Sequence, residues 1–415
     1  MYLENLICEQ CGKEYPKNFK FNSCNKCNGL LDCVYDYKKI KKILNIDKIK
    51  ARENNIWRWK EFLPIDNENN IISLGEGCTP LQKSKIIAKK FGLKNLFIKN
   101  ECINPTSTFK DRSFSTAISK AVEDNIRFAY TESTGNAGAS FAAYASVAQI
   151  KNLVLVGEQI TDEKLAMLLV YGSRVIKLKY NSAEEIQNLI DWCSKKLNLY
   201  SFYLYKNCFR VEGYKTIAFE TYLDLNLEVP DVMIHPTANG GGLYGTWLGF
   251  QELKKVGLID KIPKMIAVQP SACAPLYKAF KENKIEADKF GDEKATFAQS
   301  ISCDYPVLKG KKPLEAVYNS GGTILKLTDD EILEGIKILG QEGIFAEPAG
   351  GIVASAIEKL VNEKYIKNED IIVGVITGSG LKQPDTVFKI YKKPVRSYRC
   401  NSKYIKNALT ELISV

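Results

Sequence analysis

From about residue 70 onward the chain alternates short aliphatic or β-branched runs with longer stretches of helical period. The runs at Leu96 to Lys99, Leu153 to Val156, Arg174 to Leu178, Val232 to His235, Met265 to Val268 and Ile371 to Ile376 predict strands. Between them, Phe114, Ala117, Ile118, Ala121 and Val122 recur at i, i+3, i+4, i+7 and i+8, which is one face of a helix. Strands separated by helices of about ten or more residues predict βαβ units and a mostly parallel sheet, with ligands held by the loops at the carboxyl ends of the strands.

Three loops place small or polar residues between a strand and a helix. The first, Asn104 to Ser113, opens the helix of Phe114 and carries Lys110 at its start. A cation there opposes the positive end of the helix dipole, which suits an amine that must be neutral; in isolation the residue reads equally as a solvated charge. The second, Thr131 to Gly138, joins a predicted strand at Phe128 to Tyr130 to a small-residue helix at Ala139 to Ala148. Its hydroxyls and N–H groups suit a carboxylate or phosphate, or simply cap the helix. The third, Ala238 to Leu243, has three successive glycines that let backbone wrap an anion, but it is neither a Walker A sequence nor a dinucleotide fingerprint.

The first thirty residues follow another rule. Cys8-x-x-Cys11 and Cys24-x-x-Cys27 are two knuckles with twelve residues between them, the spacing of a zinc ribbon closed by four thiolates. Gly12 and Gly29 follow the pairs and suit tight turns. Cys33 falls outside the spacing, and Lys38, Lys39, Lys41 and Lys42 read as the solvated face of a linker helix.

Composition narrows the chemistry. The 415 residues are 45% hydrophobic and 26% charged, with a formal charge of +10, which allows nucleic-acid binding without indicating it. The single histidine, His235, excludes a His-ligated catalytic metal and leaves one candidate base for a Ser-His-Asp triad. MYLENLICEQ lacks the basic and apolar regions of a signal peptide, and no apolar run is long enough to span a membrane. The expectation is a cytoplasmic protein whose cysteines are thiols or metal ligands, with no membrane or nucleic-acid partner.

Taken together and in order, the loops resemble the threonine synthase family of fold-type II pyridoxal 5′-phosphate enzymes. The carriers are NPTSTFKDRS at 104–113, STGN at 133–136 and PTANGGG at 236–242. LGEGCTPL, FRVEGYKT, EGIFAEPAG, TGSGLKQPD, the WRWKEFLPI segment and the cysteine ribbon extend the likeness over nearly the whole chain. The resemblance implies that Lys110 binds pyridoxal phosphate covalently and shuttles protons, which removes the need for histidine. It implies that Asn239, Gly240, Gly241 and Gly242 hold the cofactor phosphate, that Asn136 meets the ring hydroxyl and that Thr377 faces the ring nitrogen. Ser133 and Thr134 would take the α-carboxylate of the substrate, while Lys164 and Arg210 would take the leaving phosphate. The family reaction eliminates phosphate from O-phosphohomoserine and adds water at the β-carbon.

The departures from the family pattern lie around the substrate. Leu204-Tyr205 stands where an asparagine-serine pair is usual, Ser107, Thr108 and Ser113 replace glycine, serine and glycine around the lysine, and Ser379 replaces a histidine. The alternatives are β-replacement on serine or phosphoserine, a serine or threonine dehydratase, which the NGGGL cradle resembles, and a non-catalytic protein, against which the retained Lys110, Asn136, glycines and Thr377 argue. The expected architecture is an α/β, two-lobed tryptophan synthase β-like fold: a zinc ribbon at 1–37, a large cofactor lobe at 38–101 and 206–415, and a small mobile lobe at 102–205. The resemblance also implies a homodimer.

Overall fold

The computed structural model describes residues 2–20, 23–133, 135–179, 183–197, 199–291, 294–391, 405–407 and 409–410. Residues 1–383 form one compact unit; a second unit, residues 384–415, holds the short helix Asp385–Ile390.

Three sheets organise the first unit. Strands β1 (Leu3–Cys8), β2 (Glu14–Pro16) and β3 (Leu31–Tyr35) make an antiparallel sheet in the order β2-β1-β3. The next strands are β4 (Leu81–Lys83), β5 (Asn95–Asn100), β6 (Phe128–Glu132), β7 (Lys151–Gly157), β8 (Arg174–Leu178), β9 (Tyr200–Ser201), β10 (Val232–Pro236), β11 (Lys264–Pro270), β12 (Thr323–Leu327) and β13 (Ile371–Ile376). A six-stranded sheet runs β12-β11-β10-β13-β5-β4, parallel except for the β4–β5 pair, and a wholly parallel four-stranded sheet runs β8-β7-β6-β9.

The six-stranded sheet is buried on both faces. Alternate residues of the same strands enter two different cores: Met233, Met265 and Val373 join one, Ile234, Ile266 and Ile372 the other. That is the period of two expected of a strand covered by helices on both sides. All six predicted runs are strands, and the predicted helical face lies in the helix Lys110–Glu123, where Phe114, Ala117, Ile118 and Ala121 are buried. The antiparallel sheet joins the body through two phenols. Tyr35 donates to Glu212 Oε2 at 2.6 Å and Tyr37 to Glu252 Oε1 at 2.8 Å. Lys215 Nζ, buried between these carboxylates, bonds both, at 2.6 and 2.9 Å. Among the described residues no helix is long and apolar enough to cross a membrane.

Candidate active site

The loops at the carboxyl ends of β5, β10 and β13 of the six-stranded sheet and of β6 of the four-stranded sheet carry the conspicuous side chains. Lys110 is the first residue of its helix, and the loop before it is fastened to the end of β13: Phe109 N and Thr108 Oγ1 both donate to the Thr377 carbonyl, at 3.1 and 3.0 Å. Ser107 stands at φ +57°, in the left-handed region that favours the glycine expected there by resemblance. Two residues on from Lys110, Arg112 is wholly buried and forks onto two carboxylates. Its Nε and Nη2 donate to Glu101 at 2.7 and 2.8 Å, its Nη1 and Nη2 to Glu220 at 2.5 and 2.6 Å. This network anchors the first turn of the helix that Lys110 opens.

The Lys110 amine lies 4.2 Å from the ring centroid of Phe109 and 5.6 Å from that of Tyr214. Burial pulls its pKa below the ordinary lysine value; the Arg210 charge adds to the pull and Tyr214 opposes it. Tyr214 is buried and faces Lys110, Arg210 and Ser113. Burial alone would raise its phenol, but the two cations bring it below 10.

The glycine loop turns sharply into the helix Gly241–Lys255. Gly240 supplies the turn at φ +77°, and no side chain caps the helix, so its first N–H groups remain available to an anion. A Cβ on Gly242 would fall 2.6 Å from the Phe109 ring, and one on Gly241 3.1 Å from Leu204. Asn239 Oδ1 accepts from Val307 N at 2.8 Å, and the Asn239 carbonyl accepts from the Tyr205 hydroxyl at 3.0 Å. Leu204 and Tyr205 therefore pack against the glycine loop.

Asn136 opens the helix Asn136–Val147. Its Nδ2 donates to Glu347 Oε1 at 2.7 Å and its Oδ1 accepts from Lys382 Nζ at 3.2 Å. Burial pushes Lys382 down to about 8, with Lys164 adding to the effect and Glu347 and Asp111 opposing it. Thr377 is buried nearby, and a Cβ on its neighbour Gly378 would fall 2.5 Å from Glu347 Oε1 and 3.0 Å from Asn136 Nδ2. Ser133 Oγ accepts from Gly135 N at 3.2 Å, closing the turn into the same helix. Thr134 lies outside the described residues.

Arg210 and Lys164 are each 3% exposed, and among the described residues neither pairs with a carboxylate. Arg210 stacks on Phe114 at 4.2 Å and donates to Ser113 Oγ at 3.1 Å and the Phe202 carbonyl at 2.7 Å. The structure thus brings Lys110 to Arg210, and Asn136 to Lys382 and Lys164. Tyr214, Glu347 and Lys382 received no role from the sequence, although each sits inside a motif that carried the resemblance. Membership of those motifs was the available signal. His235 lies buried in β10, its Nε2 without a partner among the described residues.

In the antiparallel sheet the sulfurs of Cys8, Cys11, Cys24 and Cys27 all lie within 4.8 Å of one another, with Cys8 to Cys27 at 3.5 Å and Cys11 to Cys24 at 3.6 Å. A tetrahedral ion with bonds of about 2.3 Å separates its sulfurs by about 3.8 Å, so this cluster can hold a metal. Gly12 provides a turn at φ +68°, whereas Gly29 serves by proximity: a Cβ there would fall 2.8 Å from Cys8 Sγ.

Residues 72–378 match the family described as pyridoxal-phosphate dependent enzyme. The chain is similar to the threonine synthase of Methanocaldococcus jannaschii, 37% identical over 409 residues that cover 98% of this chain and 99% of the relative. It is 35% identical to the threonine synthase of Methanosarcina acetivorans over 394 residues, 94% of this chain and 95% of the relative. Among solved structures it is similar to the processed form of threonine deaminase isoform 2 from Solanum lycopersicum. The TM-score is 0.65 and the identity 18%, over 82% of this chain and 95% of that one, a likeness of fold alone. With a lysine, an open helix terminus and an asparagine at the carboxyl ends of strands in its two parallel sheets, and a family match across most of its length, the chain belongs to the pyridoxal-phosphate dependent enzymes, as a threonine synthase-like lyase acting on an amino acid by elimination and replacement.

Proposed function

We propose that the protein eliminates phosphate from O-phosphohomoserine and adds water at the β-carbon to form threonine. The observation that carries this reading is the pair of buried cations, Lys164 and Arg210, without a carboxylate partner among the described residues. A buried cation left unpaired is costly, and a phosphate dianion delivered by the substrate beside Lys110 would relieve Arg210.

The residues present fit the cofactor. An amine held below its ordinary pKa, a glycine loop too crowded for a Cβ and an uncapped helix terminus are what an aldehyde bearing a phosphate requires. Pyridoxal phosphate, when bound, supplies an electron sink for the carbons next to the substrate amine. In this reading Gly240, Gly241, Gly242 and Asn239 hold its phosphate, while Asn136 and Thr377 orient its ring. Lys110 holds it covalently, then takes and returns the protons of the substrate carbons. Ser133, Thr134 and the start of the helix Asn136–Val147 hold the substrate carboxylate. Arg210 and Lys164 hold the departing phosphate, with the Tyr214 hydroxyl as a further donor. Residues 102–205 form the lobe that closes over the reaction and keeps out stray water. The four cysteines hold a structural zinc ion.

The purified protein, supplied with pyridoxal phosphate and O-phosphohomoserine, should release phosphate and threonine in equal amounts and faster than it turns over O-phosphoserine. Preference for O-phosphoserine or serine would overturn the assignment in favour of β-replacement or dehydration.

A further inference from the structure

Asn136 bridges the two parallel sheets. It opens the helix that follows β6 of the four-stranded sheet, while both partners of its side chain belong to the six-stranded one. Glu347 immediately precedes the helix Pro348–Asn362, which packs on that sheet, and Lys382 lies just beyond β13. The backbone holds these two partners at a fixed spacing. Ala346 and Ser379 form an antiparallel bridge, Glu347 N donates to the Gly378 carbonyl at 3.0 Å and Gly380 N to the Phe345 carbonyl at 2.8 Å. The carboxylate and the ammonium therefore frame a gap, and the Asn136 amide fills it.

The gap accepts the amide in one orientation. A carboxylate only accepts and an ammonium only donates, and burial leaves Lys382 at about 8, still protonated at neutral pH. As found, Nδ2 donates to Glu347 Oε1 at 2.7 Å and Oδ1 accepts from Lys382 Nζ at 3.2 Å. Turning the amide over would set oxygen against carboxylate and N–H against ammonium, exchanging two charge-assisted bonds for two repulsions. Water does little to soften the exchange, since Asn136, Glu347 and Lys382 are 5%, 1% and 3% exposed. The second hydrogen on Nδ2 meets no acceptor among the described residues.

We infer that Glu347 and Lys382 are positioning residues for the cofactor, which hold the Asn136 amide so that it turns an N–H, never its carbonyl, to the ring oxygen. The inference rests on the reading above that Asn136 meets the ring hydroxyl. A donated N–H favours the ionised ring oxygen, whose lysine-bound form absorbs in the visible; a carbonyl would favour the protonated form, which absorbs in the near ultraviolet.

The test reads cofactor binding and the spectrum of the resting holoenzyme, with no turnover. Full-chain apoprotein is titrated with pyridoxal phosphate as wild type, Asn136→Ala, Lys382→Met and the double variant. Asn136→Ala should weaken cofactor binding by about tenfold or more and move absorption from the visible to the near ultraviolet. Lys382→Met should shift both in the same direction in the wild-type background and add little to Asn136→Ala, as expected of a residue that acts through another. Melting of the apoproteins shows which variants have folded, and Glu347→Gln, run through the same cycle, decides the matter should Lys382→Met fail to fold. Equal effects of Lys382→Met with and without Asn136 would overturn the proposal. So would a silent Lys382→Met beside an altered Asn136→Ala, which leaves the assignment of Asn136 to the ring standing. A silent Asn136→Ala would instead remove Asn136 from the ring, and the proposal with it.

Discussion

A Cβ added to Gly213 would fall 2.0 Å from the carbonyl oxygen of Arg112. The helix Phe209–Tyr214 therefore docks backbone to backbone on the helix Lys110–Glu123, and this contact brings Arg210 and Tyr214 to Lys110. Gly213→Ala should separate the two helices, lowering stability by about 1–3 kcal/mol or more and kcat/KM with it. Thermal melts of the holoenzyme and steady-state kinetics on the same preparation check both effects.

Lys110→Ala removes the covalent attachment point and the mobile base together. Activity should fall by at least about 10³-fold, and borohydride treatment should leave no pyridoxyl adduct on the chain by mass spectrometry. Because Lys110 has no part in the ion-pair network that Arg112 carries, the variant should keep its melting temperature without cofactor close to that of the apo wild type.

Arg210→Ala should raise KM for the phosphorylated substrate by about 10- to 100-fold while phosphate-free amino acids bind as before. Arg210→Lys should restore little, since the guanidinium is held flat on Phe114 and forked between Ser113 and the Phe202 carbonyl, a geometry an ammonium cannot reproduce. Unchanged KM in Arg210→Ala would remove this residue from the phosphate site.

The chain's one histidine gives a clean pH signature. Burial pushes His235 down to about 3 from 6.5. Between those values the unfolded chain binds a proton that the folded chain does not, so this group lowers stability as pH falls from about 6.5 towards 3. The imidazole resonances of the native protein should stay unshifted between pH 8 and 5, read by NMR without assignment because only one histidine contributes.

Metal analysis should return one zinc per chain, lost in Cys27→Ser. Gly29→Ala tests the packing of the site instead of its ligands: the new methyl meets Cys8 Sγ at 2.8 Å, so metal should dissociate faster on challenge with a chelator although all four thiols remain.

Much of the fold can be read from the sequence because the central strands are buried on both faces and so appear as uninterrupted aliphatic runs. In the six- and four-stranded sheets the strands that escape such reading are at the edges. Thr323–Leu327 is interrupted by Lys326 at one edge of the six-stranded sheet, and Leu81–Lys83 is a three-residue antiparallel strand at the other. In the site, Lys110 and the glycine loop are legible because their chemistry is local to one turn. Glu347 and Lys382 are not, since each acquires its position by meeting Asn136 across more than two hundred residues. Leu204 and Tyr205 show the opposite limit. As a departure they suggest an altered substrate pocket, yet in space they brace the glycine loop, Tyr205 through its bond to the Asn239 carbonyl. Changes there should register first in cofactor retention.

The phenols of Tyr35 and Tyr37 give the cysteine ribbon a bearing on the rest of the molecule that its size does not suggest. They donate to Glu212 and Glu252, two carboxylates that share the single ammonium of Lys215 inside the body. Trimming the chain ahead of residue 38 would therefore open a charged wound beside the helix of Arg210, with water entering where two hydroxyls had been. The ribbon is better regarded as the last piece of the body's interior than as a module hung on its outside, and the body should not be expected to stand without it.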